Sequence, residues 1–90
     1  MNQEKYDKKF EIISKELAKI FHTKNIGYGG AYFKNENKSQ WFFELKRKYI
    51  RLDQISKLEL LNNGRYNKNE KRENLKDLAN YCIMEIIRMK

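Results

Sequence analysis

No proline occurs anywhere in these 90 residues, and the apolar residues recur at three- and four-residue steps in three separate stretches. Proline is the residue that most firmly ends a helix, so glycine is what punctuates this chain. Gly27, Gly29 and Gly30 crowd one loop, and Gly64 marks a second. No internal repeat or low-complexity tract is visible. The expectation is an all-α fold: three main helices, one Gly-rich loop, one short polar loop, and a single domain over residues 1–90.

The first segment runs from about Glu4 to Thr23. Tyr6, Phe10, Ile13, Leu17 and Ile20 lie four, three, four and three apart, which puts them on one face of a helix. Glu11 stands four residues before Lys15 as a supporting pair. His22 closes this helix, where a positive charge suits the dipole, and reads as a capping residue rather than a catalytic one. The second segment runs from about Gln40 to Asn62, with Leu45, Tyr49, Leu52, Ile55 and Leu58 at helical spacing. Ser39 or Asn37 can cap its start. Asn62-Asn63-Gly64 is a good stop, since Asn and Gly tolerate the left-handed conformation. The third segment runs from about Glu70 to Met89. Asn67, three residues before Glu70, gives a capping-box-like start. Leu75, Ala79, Cys82, Ile86 and Met89 form its stripe, which makes Cys82 a buried, inert thiol.

Ile12, Phe21, Ile50, Ile83 and Ile87 fall off these stripes. Three helices of this length carry more apolar surface than one small bundle hides, so a homo-oligomer is expected to complete the core. A lone core in a chain this short is marginal in any case.

Composition excludes several classes. The chain is 40% hydrophobic and 13% aromatic, too apolar for a disordered tail. It is 36% charged and has no apolar run long enough for a membrane span. Met1-Asn2-Gln3-Glu4-Lys5 lacks the apolar core of a signal peptide, so a cytoplasmic location is expected. One cysteine excludes an internal disulfide, and one histidine excludes any site needing two imidazoles of one chain. Twenty basic against twelve acidic residues give a net charge of +8. That suits nucleotides, nucleic acid or acidic proteins. The excess is spread along the chain, with Lys46-Arg47-Lys48 the one local cluster. A dedicated DNA-binding domain concentrates its charge more.

Three features can carry chemistry. Glu44, Lys48 and Arg51 share one face of the second helix, and Glu73, Asp77 and Asn80 share one face of the third. Asp77 and Asn80 fall at the edge of the core. Carboxylates one turn apart can share a Mg²⁺ ion. The plainer reading is a pair of ion pairs, Arg51 with Asp77 and Lys48 with Glu73, and spacing alone favours it. The second feature is the loop from Lys24 through Tyr28 to Tyr32. Its glycines let backbone N–H groups approach an anion, and its tyrosines offer faces for a base. It lacks the Gly-Lys-Ser/Thr ending of a Walker loop, and a plain interhelical turn is the commoner meaning of such glycines. The third is Trp41-Phe42-Phe43, read either as core or subunit contact or as a base-stacking surface.

Lys24-Asn25-Ile26-Gly27-Tyr28-Gly29, Lys48-Tyr49-Ile50-Arg51-Leu52 and Asp77-Leu78-Ala79-Asn80-Tyr81 follow one another in this order. Together they resemble the small all-α phage and prophage family called nucleotide modification associated domain 1. Its pattern is a Lys-Asn-x-Asp-Tyr-Gly-like loop, a helix with Lys-x-x-Arg-Leu, and a helix with Asp-Leu-Ala-Asn-Tyr. The match spans roughly residues 10–88 and is most specific in the third motif. The family's fold looks like that of the MazG-like nucleotide pyrophosphohydrolases, which cleave between the α- and β-phosphates with Mg²⁺ held by carboxylates on facing helices.

The resemblance implies a nucleotide-binding site. Lys24, Lys48 and Arg51 would meet phosphates, Asn80 would orient the ligand, and Tyr28 or Tyr81 would pack on the base. Glu44, Glu73 and Asp77 would be the remnant of the metal site. Two departures weaken catalysis: Gly27 stands where the loop is acidic in the family, and Arg47 stands where an acid is common. The leading expectation is therefore a phage-type nucleotide-binding protein with weakened or lost pyrophosphohydrolase activity. The alternative is a non-catalytic sponge for a nucleotide or cyclic nucleotide, or an inhibitor of a host defence protein. Nucleic-acid binding through the diffuse basic surface ranks third.

Overall fold

The computed structural model describes residues 2–27 and 38–89, with side chains for 2–24 and 41–89. Three helices account for nearly all of it: α1 (Gln3–Gly27), α2 (Lys38–Leu60) and α3 (Lys68–Met89). There is no strand among the described residues, and the fold is all-α. The chain divides into two compact units, Met1–Asn35 and Glu36–Lys90.

The first unit holds α1. Its start is capped by Asn2, whose Oδ1 accepts from the Lys5 backbone N–H at 3.4 Å. On its polar side Lys15 pairs with Glu11 at 2.9 Å, as the spacing predicts. The helix continues past the expected end at Thr23, so Lys24 lies in its last turn and not in a loop. Nothing between Thr23 and Gly27 breaks a helix, and a lysine suits the negative end of the helix dipole.

The second unit is an antiparallel hairpin of α2 and α3. Trp41 meets Arg88, Lys48 meets Asp77, and Glu59 meets Lys71, so rising numbers on one helix face falling numbers on the other. The turn between them, residues 61–67, follows from local chemistry. Asn62 takes the left-handed conformation with φ 49°. Its N–H donates to the Glu59 carbonyl at 3.0 Å, and the Asn63 N–H donates to the Leu58 carbonyl at 3.0 Å. This pair of bonds is a Schellman cap. Asn63 Oδ1 then accepts from the Arg65 N–H at 2.8 Å, and Asn67 Oδ1 caps α3 through the Glu70 N–H at 3.0 Å. Glu70 does not close the capping box, because its carboxylate turns outward to Arg51.

The rotation of α3 differs from the expectation. Of the stripe Leu75-Ala79-Cys82-Ile86-Met89, only Ala79 is partly covered, and the rest is exposed. Cys82 is therefore an exposed thiol, not a buried one. The half-buried positions include Asn74, Asp77, Leu78, Asn80, Tyr81, Met84 and Arg88. On α2, Ile55 is buried at 2% and Trp41 at 3%, while Tyr49 of the expected stripe is exposed. The physical reason is charge. Lys48 lies on the face of α2 that meets α3, and α3 answers with Asp77 and Tyr81 rather than with its most apolar side.

Two predictions concern the turn. A Cβ added at Gly64 meets nothing within 4 Å, so Gly64→Ala should raise stability by about 0.4–1 kcal/mol through the unfolded chain. Asn62→Val should lose about 1–2 kcal/mol, because the left-handed backbone disfavours a side chain there. Urea melts of both variants would check this, and the reverse order of stabilities would disprove the cap.

A further prediction is a pH window. Lys71 Nζ lies 2.7 Å from Glu59, and the Tyr66 hydroxyl also donates to that carboxylate. Lys71 first, then Tyr66, holds Glu59 below the usual carboxylate range. Glu59 in turn raises both Lys71 and Tyr66. The Glu59 contribution is present above its unfolded pKa and is lost as pH falls through the lowered folded value. The Lys71 and Tyr66 contributions are full below their unfolded values and are lost as pH rises through the raised ones. Melting temperature against pH should therefore show an acid and an alkaline shoulder. Glu59→Gln should flatten both.

Candidate functional site

The residues predicted to carry function do not all come together. Lys48, Asp77 and Tyr81 come together on the α2–α3 seam, and Asn80 is the half-buried residue just before Tyr81 on α3. Lys48 Nζ is 3.2 Å from Asp77 Oδ2 and 5.8 Å from the centre of the Tyr81 ring, within cation–π range. The lysine and aspartate side chains are 23% and 32% exposed, so the pair is shielded yet open to water on one side. Asp77, Asn80 and Tyr81 are three and four residues apart on α3 and are all half-buried. A cation, an aromatic face and a carboxylate thus share one surface.

Arg51 belongs to a neighbouring contact. It pairs with Glu70, and its other guanidinium nitrogen reaches Gln54 at 3.5 Å. The expected pairs, Arg51 with Asp77 and Lys48 with Glu73, are replaced by Lys48 with Asp77 and Arg51 with Glu70. Each basic residue takes the acid that the hairpin register brings opposite it. Glu70 was legible only as a capping residue, because a register between helices is not written in either helix alone.

Glu44 and Glu73 are engaged within their own helices, Glu44 with Arg47 at 2.7 Å and Glu73 with Lys76 at 3.3 Å. With Asp77 on Lys48, each carboxylate of the expected metal set already has a cation. No group of three or more His, Cys, Asp or Glu among the described residues could hold a metal ion. A Mg²⁺ site needs carboxylates that converge and leave room for water, and these, as placed, do not fit one. Lys24 is exposed on α1. Tyr28, and with it the rest of the glycine-rich stretch through Tyr32, lies outside the described residues.

Two further side chains were not foreseen. Arg88 stacks its guanidinium 4.9 Å from the centre of the Trp41 ring while Nε donates to Glu85 at 3.1 Å. This closes the far end of the hairpin and divides the aromatic run: Trp41 is buried, whereas Phe42 and Phe43 are exposed. Asn74 Oδ1 is buried without a hydrogen-bond partner among the described residues, on the half-buried side of α3 that also carries Asp77 and Tyr81. An orphaned acceptor costs about 1–3 kcal/mol. Its only sequence signal is an asparagine inside a helix, where the residue is unfavourable.

No helix of the described residues is long and apolar enough to cross a membrane. Compared with protein-family models, curated proteins and solved structures, the chain matches none.

Proposed function

We propose that this chain binds a nucleotide or cyclic nucleotide without turning it over, acting as a phage-type sponge for such a signal. The observation that supports this most is Lys48 of α2, set against one carboxylate and one aromatic ring of the facing helix α3. A nucleotide needs a cation for phosphate and a flat face for the base. Lys48 supplies the first, Tyr81 the second, and Asn80 beside them supplies an amide to orient the ligand. Asp77 is the counter-ion that phosphate displaces. Arg51 gives a second, bidentate contact once it leaves Glu70. Asn74 offers an acceptor to an amino group. The carboxylates' engagement with Arg47, Lys76 and Lys48 favours binding over metal-assisted hydrolysis, so the MazG-like resemblance is taken to carry a ligand class and not a reaction.

A second reading rests on a different surface. Phe42, Phe43 and Tyr49 are exposed on α2 beside exposed Lys46 and Arg47. Aromatic rings interleaved with cations suit single-stranded nucleic acid.

Calorimetry with mono-, di- and triphosphates and cyclic dinucleotides, with and without Mg²⁺, separates these readings. Metal-independent heat and no released pyrophosphate are expected. Lys48→Ala should weaken binding by about 1.5–3 kcal/mol, one charge-assisted hydrogen bond. Asp77→Asn should tighten it by removing the competing carboxylate, whereas a metal ligand at Asp77 would give the opposite sign. Asn74→Leu should raise the melting temperature and weaken binding together. Heat that requires Mg²⁺ and yields pyrophosphate would sink the sponge reading in favour of the enzyme. Equal losses from Lys48→Ala and Lys68→Ala that vanish in high salt would favour the nucleic-acid surface.

A further inference from the structure

We infer that the closed end of the α2–α3 hairpin docks on an anionic lipid surface, its two leucines entering the lipid while three cations meet the headgroups. Leu60 ends α2 and Leu61 begins the turn, and they are 83% and 73% exposed. This exposure is built into the turn. The Leu61 N–H donates to the Lys57 carbonyl at 3.1 Å, and the bonds from Asn62 and Asn63 fix the cap just beyond it. In a Schellman cap the residue after the left-handed one commonly packs an apolar side chain back on the helix. Here that residue is Asn63, so the cap uses neither leucine.

Charge selects the occupant. From Leu60 to Arg72 the one acid is Glu70, and Arg51 takes it. Lys71 is taken by Glu59. Arg65, Lys68 and Arg72 are exposed, and no ion pair among the described residues involves them. At the opposite end of the hairpin Arg47 is held by Glu44 and Arg88 by Glu85. Most of the hairpin's unmatched positive charge among the described residues therefore gathers at the turn, beside the leucines.

Other anionic occupants fit this end less well. The end of a two-helix hairpin is about 10 by 20 Å across, and a Cβ added at Gly64 meets nothing within 4 Å. A stable protein interface needs about 800 Å² on each partner, more than this convex tip offers. Single-stranded nucleic acid is held by stacking bases on rings. The apolar side chains here are leucines, and the one ring, Tyr66, is half-buried with its hydroxyl on Glu59. A lipid surface needs neither a groove nor a large rigid area. It yields to a convex tip, takes apolar side chains at the acyl boundary and attracts cations within a Debye length. Lys48 lies about 18 Å along α2 from Leu60, so this contact stands apart from the nucleotide reading.

The test is co-sedimentation of the full chain, exposed Cys82 kept reduced, with vesicles of phosphatidylcholine alone or mixed with phosphatidylglycerol. Binding to the mixed vesicles alone is expected, and it should fall in high salt. Leu60→Gln with Leu61→Gln keeps helix-forming side chains and should weaken binding by about tenfold or more. Arg65→Gln, Lys68→Gln and Arg72→Gln together should weaken it by about a hundredfold. Removing the same charge from Lys5, Lys8 and Lys9 of α1 should cost no more than about threefold. Circular dichroism should show the helices retained in every variant. In Leu61→Trp the new indole should shift to the blue on mixed vesicles, over the constant emission of Trp41, which is 3% exposed. No binding to mixed vesicles, equal binding to both kinds, or equal losses from the two triple variants overturns the inference. So does an unmoved Leu61→Trp emission, or binding indifferent to the leucine pair, which would be mere adsorption of a basic chain.

Discussion

A lysine amine placed between two helices must be neutralised, and the contact of Lys48 with Asp77 and Tyr81 is how this hairpin does so. The hairpin's other contacts are compatible with one rotation of α3, the one that turns Asp77 and Tyr81 toward α2. That rotation carries Asn74, Leu78 and Met84 into partial burial and places Arg88 over Trp41. It also turns Leu75, Ile83, Ile86 and Ile87 toward solvent. An apolar residue at position 48 would have let α3 present its own stripe. With lysine there, burying that stripe against α2 would have left a charge unpaired in the seam, at a cost of several kcal/mol.

The consequence is a shortage of buried apolar surface within one copy. Trp41 and Ile55 are the buried hydrophobic side chains of the described residues, each contributing about 1.5–3 kcal/mol. Ordering the backbone costs about 1–2 kcal/mol for every residue. Ion pairs that are largely exposed add little, however many line the seam. The exposed faces of α1, α2 and α3 are thus the remaining reserve of hydrophobic stabilisation. A partner that covers them would contribute folding free energy as well as affinity.

What could be read from the sequence followed from local rules. Helix period located all three helices, and asparagine chemistry located the turn: Asn62 as the left-handed cap and Asn67 as the start of α3. Lys24 was misplaced because a glycine cluster was taken to begin the loop at its first lysine, although nothing before Gly27 resists helix. The rotation of α3 was illegible for a different reason. Periodicity says which residues share a face, not which face turns inward, and the rule that the apolar face is inside fails when the facing helix holds a charge. The ion pairs show the same limit. Spacing showed that Lys48 and Arg51 share a face and that acids on α3 do too. Which acid each would meet depended on the hairpin register, which Asn62 and the turn set.

The same contact that organises the hairpin is well suited to exchange. Lys48 holds its position through one carboxylate at 3.2 Å and one ring, and Asp77 keeps about a third of its side-chain surface in water. If phosphate replaces Asp77 as the counter-ion, the lysine stays neutralised, and the aspartate returns to solvent at little desolvation cost. The seam then keeps its rotation, because Arg88 on Trp41 and Lys71 on Glu59 hold both ends of the hairpin independently of Lys48. A metal site could not be assembled so cheaply. It would require Glu44, Glu73 and Asp77 to leave Arg47, Lys76 and Lys48 at once and converge on a divalent cation. With a net charge of +8 already on the chain, that rearrangement works against Coulomb's law, whereas accepting an anion works with it.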